Sequence, residues 1–426
     1  MRHLPYRHAC LTLRQRFLCW LACLCVCLCV SLCACTAAHA GPLPVLRIPD
    51  GANAMLLGQH MQLLRDEDGR QTLADVQDPN RDADWQPSHA DAINFGLSRA
   101  VGWARISLRN DGPAEMRRVL DLDSSLADYV DVYIVQPDGT LSETMLTGDR
   151  RPFADRPLKL RTLAVPLQIK AGARIDVYLR LQTHDGLHEI IMPTLWQPQA
   201  FASHVQSDTL AFGLYYGVLI TVLLYNLFLF VSTRQAGFGY YLLYVASVLM
   251  WSFSFRGYAA QYLWPDWPNF GNQAVLVFAG LSFVTLSMFA ISYLDTRRSV
   301  PRWLHRAMLA FTGASVLALL PFFDNHYAVP FIVQSALGLV LMACMVLVNH
   351  KLVWYGNRPS RYFSCAFAAL SLGVVIYYLR VMGAVPANAL TDNFLLIGSA
   401  AEALLLAFGL ADQMNTLKSE KTQGRA

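Results

Sequence analysis

The feature that most constrains this chain is a series of apolar segments in its second half, separated by short polar loops. Each segment has roughly 17–23 residues, close to the length that a helix needs to cross a bilayer. Backbone groups in lipid must be satisfied within the segment, so each one predicts a helix. The predicted spans are 209–231, 239–255, 273–293, 307–323, 328–349, 363–382 and 394–411. The sequence therefore predicts an all-α transmembrane bundle of seven helices over residues 208–412.

The basic residues of the predicted loops fall on one side of the membrane. The loops after the second, fourth and sixth spans contain no Lys or Arg, apart from Arg256 at the external end of the second span. The loops after the other spans, and the tail, contain Arg234, Arg297, Arg298, Arg302, Arg306, Lys351, Arg358, Arg361, Lys418, Lys421 and Arg425. Under the positive-inside rule these loops are cytoplasmic. The predicted protein therefore crosses a bacterial inner membrane seven times, with its C-terminus in the cytoplasm.

The first 40 residues read as a secretory signal peptide. Four arginines precede the apolar run "FLCWLACLCVCLCVSLCAC", and an A-x-A motif places the cleavage between Ala40 and Gly41. An alternative is a lipoprotein signal in which Cys35 is acylated. Either signal exports the next segment, so residues 41–207 are predicted to be periplasmic. This agrees with the side that the basic loops assign to them.

Residues 41–207 have the pattern of a β domain. The stretches "WARISLRN", "YVDVYIV" and "RIDVYLRLQ" alternate apolar and polar residues, and "PDG" and "KAG" supply turns between such runs. Several short strands without a convincing helix predict an antiparallel sandwich or jelly roll. The predicted fold is thus an all-β jelly-roll or sandwich domain (41–207), the helical bundle (208–412) and a short tail (413–426).

Composition excludes several functions. The chain is 54% hydrophobic with a net charge of +4. The exported segment has about 17 basic and about 22 acidic residues, which gives no reason to expect nucleic acid binding. No lysine lies between Lys170 and Lys351 or within spans six and seven, so a retinal Schiff base is excluded. Catalytic side chains do not gather at one membrane depth, so we predict neither an enzyme nor a bound cofactor.

Two charged residues within the spans are candidate relay residues. Glu402 lies about eight residues into span seven, roughly 12 Å deep at about 1.5 Å per residue, and Arg380 lies near the external end of span six. A charge at the bilayer centre costs about 2.5–3.5 kcal/mol, so it usually faces the bundle and finds a partner. One hypothesis pairs the two residues in a contact that shifts when ligand binds. The alternative is static: Arg380 reaches the membrane surface and Glu402 is protonated or hydrogen-bonded by a neighbouring helix.

Candidate ligand-binding residues in the exported domain are weaker. Trp85, Trp103 and Tyr133 would stack on a sugar if they were exposed, but aromatic residues are more often part of a core. Arg150 belongs to the basic stretch "GDRRPFADRP", which is either solvated or ligand-binding. His184 and His188 are four residues apart, a spacing that binds zinc on a helix. They follow a predicted strand in a Gly-containing stretch, so we predict no metal site.

Several stretches in order resemble one bacterial family. These are "NFGLSRAVGWARISLRN", "LDLDSSLADYVDVYIVQPDG", "TGDRRPFADRP" and "MPTLWQPQAF" in the exported domain, then "YYGVLITVLLYNLFLF" and "GSAAEALLLAFGLADQMNTLK" in the bundle. The chain resembles the seven-transmembrane receptors with diverse intracellular signalling modules that carry the second type of extracellular domain. The resemblance implies a jelly-roll sensor similar to carbohydrate-binding modules, coupled through the helices to a cytoplasmic output.

The tail departs from this pattern. Family members usually continue through a coiled coil into a catalytic signalling domain, whereas residues 413–426 are too few for one. We therefore predict a sensory receptor for a small extracytoplasmic ligand that acts on a separate cytoplasmic signalling protein, although a lost output domain is an alternative. A transporter or channel component with a periplasmic binding domain is the second functional hypothesis. Its weakness is that the spans lack clear internal repeats and paired broken helices.

Overall fold

The structure is a computed structural model that describes residues 43–49, 51–184, 186–319, 328–354, 358–381, 385 and 389–423. The predicted signal peptide, its cleavage position at Ala40 and Gly41, and Cys35 lie outside these residues. Up to Trp196 the chain forms sheets, and from Pro198 onward it forms helices. We call residues 43–197 the β domain and residues 198–423 the helical domain.

The described part of the β domain contains two sheets. Its strands are β1 (Val45–Arg47), β2 (Ala54–Leu56), β3 (Gln62–Asp66), β4 (Gln86–Pro87), β5 (Val101–Arg109), β6 (Met116–Asp121), β7 (Tyr129–Val135), β8 (Leu141–Thr147), β9 (Ala164–Ile169), β10 (Arg174–Gln182) and β11 (Thr194–Trp196). The larger sheet has the order β4-β3-β5-β10-β7-β8, and the smaller one β2-β11-β6-β9. All of these neighbours pair antiparallel, as predicted. Among the described strands, the one parallel pair joins β1 to β5, which the prediction lacked.

The predicted alternation places one face of each long strand in a core between the sheets. The larger sheet contributes Ala104, Ile106, Leu108, Val130, Val132, Ile134, Ile175, Val177, Leu179 and Leu181. The smaller sheet contributes Leu120, Leu167, Ile169 and Leu195 to the same cluster. Burying this apolar surface stabilises the domain by about 25 cal/mol per Å². The prediction of an all-β domain is confirmed, and two sheets share its core.

A second cluster covers the outer face of the larger sheet. The chain between β3 and β4 includes a short helix, α1 (Leu73–Gln77), which Thr72 caps through a reciprocal hydrogen bond with Asp75. This segment packs Leu73 and Val76 against aromatic residues of the sheet. The sheet therefore has apolar side chains on both faces at this point. The sequence had predicted no helix here, since five residues are too few to show a period.

The helical domain contains four short or medium helices and five long apolar ones among its described residues. They are α2 (Pro198–Thr233), α3 (Ala236–Phe255), α4 (Tyr258–Tyr262), α5 (Pro268–Tyr293), α6 (Thr296–Ser299), α7 (Arg302–Leu317), α8 (Ala328–Trp354), α9 (Arg358–Val381) and α10 (Ala389–Gln423). A helix coincides with each of the seven predicted spans. Of these, α2, α3, α5, α8 and α10 are long and apolar enough to cross a membrane. The protein is therefore a multi-pass membrane protein.

Two predicted spans fall short of that standard. Helix α7 has 16 residues, about 24 Å at about 1.5 Å per residue, against a hydrocarbon core of about 30 Å. Helix α9 has 24 residues, and its part with continuously described side chains, Arg361–Ile376, is apolar but shorter than a span. The segment 320–327, which includes the end of the fourth predicted span, lies outside the described residues. The count of seven crossings therefore remains a prediction.

The first long helix runs through the predicted domain boundary at residue 207. Helix α2 has 36 residues, about 54 Å in length at about 1.5 Å per residue. Its first turns pack on the β domain: Phe201 is buried beside Val119, and the His204 ring stacks on Trp196 with centroids 4.6 Å apart. The predicted boundary marks where the apolar sequence begins and not where the helix begins. At the other end of the domain, α10 extends through most of the predicted tail to Gln423.

Candidate signal relay

The segment between β8 and β9, residues 148–163, connects the β domain to the helix ends. It turns at Gly148, which has a φ of 138°, a conformation open to glycine. A Cβ there would lie 2.2 Å from the carbonyl oxygen of Asp128. Beyond the turn, the Phe153 amide donates a hydrogen bond of 3.0 Å to the Pro265 carbonyl, in the connection between α4 and α5. The two domains thus share a backbone hydrogen bond.

A buried polar cluster lies beneath this contact. The Asn272 side-chain amide, on the second turn of α5, donates to Asp149 Oδ2 at 2.6 Å and lies 3.5 Å from Asp128 Oδ1. Asp128 also accepts from Arg150 Nε at 3.2 Å and from the His184 amide at 2.7 Å. All three side chains of the bridge are buried. One amide of the helical domain is therefore held by two carboxyl groups of the β domain.

The electrostatics of this cluster are unusual for a surface loop. Burial, followed by the charge of Asp128, raises the pKa of Asp149 well above its ordinary range. Burial also lowers the pKa of Arg156 to about 10, although the nearby Asp149 opposes that shift. The guanidinium therefore remains protonated at neutral pH. A buried carboxyl whose charge is disfavoured responds to any change in its neighbours.

A second set of contacts joins the domains beside the first. Ser125 Oγ donates to the carbonyl of Phe255 at the end of α3, at 2.9 Å. Gly257 follows with a φ of 81°, and a Cβ on it would lie 2.6 Å from the Arg161 carbonyl oxygen. The Arg161 side chain pairs with Asp208 of α2 and lies over the Phe212 ring, 4.8 Å from its centroid. This contact links the β domain to α2 as well as to α3.

Glu402 lies in the core of the helical domain. It is 3% exposed, and Tyr244 of α3 donates its hydroxyl to the carboxylate, with distances of 2.8 and 2.9 Å to the two oxygens. The neighbouring Tyr241 donates to the carbonyl oxygen of Ala403. Two tyrosines one turn apart on α3 therefore hold one turn of α10.

Helices α2 and α9 complete the environment of Glu402. Tyr215 of α2 shares a hydrogen bond of 3.1 Å with Ser399, one turn before Glu402. On the other side, Gly398 packs so closely on α9 that a Cβ would lie 2.8 Å from the Ala369 carbonyl oxygen. Next to Tyr215, the ring of Tyr216 stacks on Phe212, and Arg161 of the β domain lies over Phe212. A continuous set of contacts thus runs from the junction to Glu402.

Two models of known protein families match this chain. Residues 208–413 match the family model described as 7TM diverse intracellular signalling, and residues 58–197 match the one described as 7TMR-DISM extracellular 2. The chain belongs to the 7TMR-DISM receptor family. A comparison with individually curated proteins finds no match. The chain is therefore a membrane receptor with an extracellular domain and a link to intracellular signalling, as its sequence had indicated.

The structure describes one of the two candidate relay residues in full, Glu402, and only the backbone of the other, Arg380. Glu402 is buried and hydrogen-bonded by a neighbouring helix, which is the arrangement that the static alternative described. The backbone of Arg380 lies in α9, but its side chain lies outside the described residues. The predicted pairing of the two residues therefore stays a hypothesis. The partner that the sequence missed is Tyr244.

The ligand-binding candidates of the β domain are all packed. Trp85 and Trp103 are fully buried beneath the α1 segment, so neither presents a ring face to a ligand. Tyr133 is half-buried and its ring stacks on Trp103 with centroids 6.0 Å apart. Arg150 is buried in its ion pair with Asp128 and is not a solvated loop residue. The aromatic set belongs to a core, which was the alternative interpretation.

The two histidines do not form a paired site. His188 is buried, its Nε2 is 2.9 Å from the Ala100 carbonyl oxygen, and burial lowers its pKa. His184 is exposed. Within the described residues, no group of three His, Cys, Asp or Glu side chains has the arrangement to hold a metal ion. The absence of a metal site remains a prediction for the whole chain.

Proposed function

We propose that this receptor binds a small extracytoplasmic ligand through its β domain and passes a conformational change through seven helices to a separate cytoplasmic signalling protein. In this proposal the β domain is a periplasmic jelly-roll sensor, and the protein lies in the bacterial inner membrane with its tail in the cytoplasm. The export signal and the one-sided basic loops support that orientation. The chain itself catalyses no reaction.

The observation that supports this proposal most is the Asn272 bridge. A signal can pass only if the two conformations of the receptor differ in free energy of ligand binding, and if the two domains move together. An amide of α5 that is buried between Asp128 and Asp149 couples any displacement of the 148–163 segment to α5. Breaking the bridge would leave buried polar groups without partners, at about 1–3 kcal/mol for each.

The contacts from Arg161 to Glu402 give the signal a route to α10. Phe212 and Tyr215 lie on successive turns of α2, one facing the junction and one bonded to Ser399 of α10. Helix α10 is continuous from residue 389 to residue 423, so a rotation near Glu402 would reach its far end. We propose that this end is where the cytoplasmic partner senses the change.

The proposal is tested by breaking the bridge and observing the far end of α10. The receptor is prepared in nanodiscs with Cys344 and Cys365 replaced by alanine, and a spin label is attached at Lys418→Cys. We expect Asn272→Ala to change the label's mobility, because α5 loses its hydrogen bond to Asp149. The matched control is Asn80→Ala, since Asn80 is an exposed asparagine of the β domain whose side-chain amide donates to Asp78 of its own turn.

The two variants separate coupling from general destabilisation. If Asn272→Ala and Asn80→Ala give the same spectrum as the parent while Asn272→Ala lowers the thermal midpoint, the bridge holds the domains together but transmits nothing. That outcome would contradict the proposed relay.

A further inference from the structure

A small cavity lies at the junction, between the 148–163 segment and the helix ends. Its volume is about 20 Å³, and its lining includes Asp149, Arg156, Phe153, Ser254 and Trp264. A cavity of this size holds about one water-sized group. Its walls come from both domains, so anything bound in it contacts both.

Two charged side chains that line this cavity each have a buried polar atom without a hydrogen bond to the described part of the chain. Asp149 Oδ1 and Arg156 Nε are buried and have no hydrogen-bond partner among the described residues, so they do not bond each other. Other atoms of the two side chains are bonded: Asp149 Oδ2 accepts from Asn272, and Arg156 Nη1 donates to the carbonyls of Leu160 and Arg161 at 2.9 Å each. The side chains therefore cannot turn away without breaking these bonds.

Asp149 Oδ1 and Arg156 Nε together determine which chemical group could form hydrogen bonds with both. Arg156 Nε is a donor, and Asp149 Oδ1 is an acceptor when ionised and either a donor or an acceptor when protonated. A hydroxyl group both donates and accepts, so it pairs with both atoms in either state. A carbonyl only accepts and an ammonium only donates. A second carboxylate would be repelled by Asp128 and Asp149, whose charges already disfavour each other.

We propose that this cavity is a ligand subsite that binds one hydroxyl group of a neutral polyhydroxylated molecule, between Asp149 and Arg156. The inference rests on the proposed function and deepens it, because it places ligand contact at the domain junction and not on the sheet. The binding of a hydroxyl here would tighten or loosen the β domain against the helix ends directly. No separate signal from the sheet to the junction is then required.

The outer side of the cavity suits the rest of such a molecule. Among the lining residues Phe153, Trp264 and Pro265 are half-buried, whereas Asp149 and Arg156 are buried. Aromatic and proline surfaces pack well on the C–H faces of polyols. The buried end accepts one hydroxyl, so the remainder of the ligand lies against this half-exposed wall.

The test uses the full receptor in nanodiscs and a panel of neutral polyols. Erythritol, xylitol, myo-inositol and D-glucose are titrated while the thermal midpoint and the tryptophan fluorescence are recorded. A ligand that binds the folded protein raises the midpoint in proportion to its occupancy. We expect at least one polyol to raise it and to change the fluorescence, since Trp264 lines the cavity. Sodium acetate, titrated at constant ionic strength, should neither raise the midpoint nor change the fluorescence.

Two substitutions assign the effect to the cavity. Asp149→Asn keeps an oxygen for Asn272 but directs an NH₂ group towards Arg156, and Arg156→Lys keeps the charge but removes Nε. Each should weaken the polyol response about tenfold or more, the usual cost of one buried hydrogen bond to a charged group. Asp155→Asn is the matched control, because Asp155 is exposed on the same segment. It should leave the response unchanged.

Three results would overturn the subsite. The first is a panel without any shift in the parent, which assigns the two atoms to bound water only. The second is a polyol response that survives both substitutions. The third is an equal loss in Asp155→Asn. Each is distinguishable from failure of the proposed function, because the Lys418 label responds to Asn272→Ala whether or not any polyol binds.

Discussion

The β domain and the helical domain both bury polar atoms, but they give them different partners. In the β domain the partners are ions: Arg150 pairs with Asp128 at 3.2 Å, and Arg151 pairs with Asp131 at 2.7 Å. Both pairs are mostly shielded from solvent, and the Arg151 guanidinium also donates to two backbone carbonyls. Buried pairs of this kind are tolerated where every charge has several hydrogen bonds.

In the helical domain the hydrogen-bond partners of the buried polar atoms are neutral groups. Glu402 accepts from the Tyr244 hydroxyl, and Ser399 shares a hydrogen bond with Tyr215. The described ion pair far from the junction, Arg298 with Asp295, is exposed at both ends. A charge costs more in lipid than a hydroxyl does, so this division follows from the solvent. The junction is where the two patterns meet, since there an amide of α5 is bonded to carboxyl groups.

The largest effect is expected from a side chain that separates the two regions. Gly257→Ala would place a Cβ 2.6 Å from the Arg161 carbonyl oxygen at a residue with a φ of 81°. Backbone strain and the clash together should destabilise the protein by about 3–5 kcal/mol. The measurement is the midpoint of denaturant unfolding of the full chain in detergent.

Gly172→Ala is the matched control for this prediction. Gly172 also has a positive φ, of 66°, but a Cβ there meets nothing within 4 Å. It should therefore cost only the strain, about 1 kcal/mol. Equal losses in the two variants would mean that the contact between Gly257 and Arg161 contributes nothing to holding the domains together.

A smaller effect on the free energy of unfolding is expected from Asp121, a buried acidic residue of the β domain. Burial, followed by the charge of Asp123, raises the pKa of Asp121 from 3.8 to about 6. The folded protein therefore binds this proton more tightly than the unfolded chain does. The resulting stability is present below about pH 4 and is lost as the pH rises through 6. The loss should amount to about 3 kcal/mol.

Asp121→Asn should remove this part of the pH dependence. The asparagine oxygen can still accept from the Asp123 amide, which donates to Asp121 Oδ1 at 3.2 Å. The unfolding midpoint of the variant should therefore fall less than that of the parent between pH 4 and pH 7.5. Glu189, whose pKa burial raises to about 7, and His188 remain in both proteins and cancel in the difference. Parallel pH curves for the two proteins would contradict the assignment.

The sequence predicted those parts of the fold that depend on neighbours along the chain. Alternation in "WARISLRN" identified Ala104, Ile106 and Leu108 as core residues, because the two faces of a strand differ residue by residue. The apolar segments likewise located the helices. Glu402 was noticed because one carboxyl group inside an apolar segment is a local anomaly.

The parts that were missed depend on contacts between distant residues. Asn272 and Asp149 are 123 residues apart, and Tyr244 and Glu402 are 158 apart. An asparagine near a helix start and a tyrosine in a membrane span are ordinary in themselves, so no local pattern indicates them. The same reason explains why the burial of Arg150 was missed: its ion-pair partner, Asp128, is distant in the sequence.

The smallest effect is expected where the helical domain uses a neutral partner. Tyr244→Phe removes the hydroxyl that donates to Glu402 and leaves a buried carboxyl group with one partner fewer. We expect a loss of about 1–3 kcal/mol, measured as the unfolding midpoint in detergent. Tyr225→Phe is the matched control, because Tyr225 lies on α2 and is 46% exposed to the surroundings of the bundle.

A second substitution determines whether the pair matters as a pair. Glu402→Gln keeps the shape of the side chain and accepts from Tyr244 through its amide oxygen, so alone it should change stability little. Combined with Tyr244→Phe, it should cost less than Tyr244→Phe alone, because a neutral amide is less costly to leave unpaired than a carboxylate. If the double variant loses as much as the sum of the two single ones, the hydroxyl acts on α10 through packing alone. The neutral contact in the membrane would then be a structural support, and the relay would depend on the charged cluster at the junction.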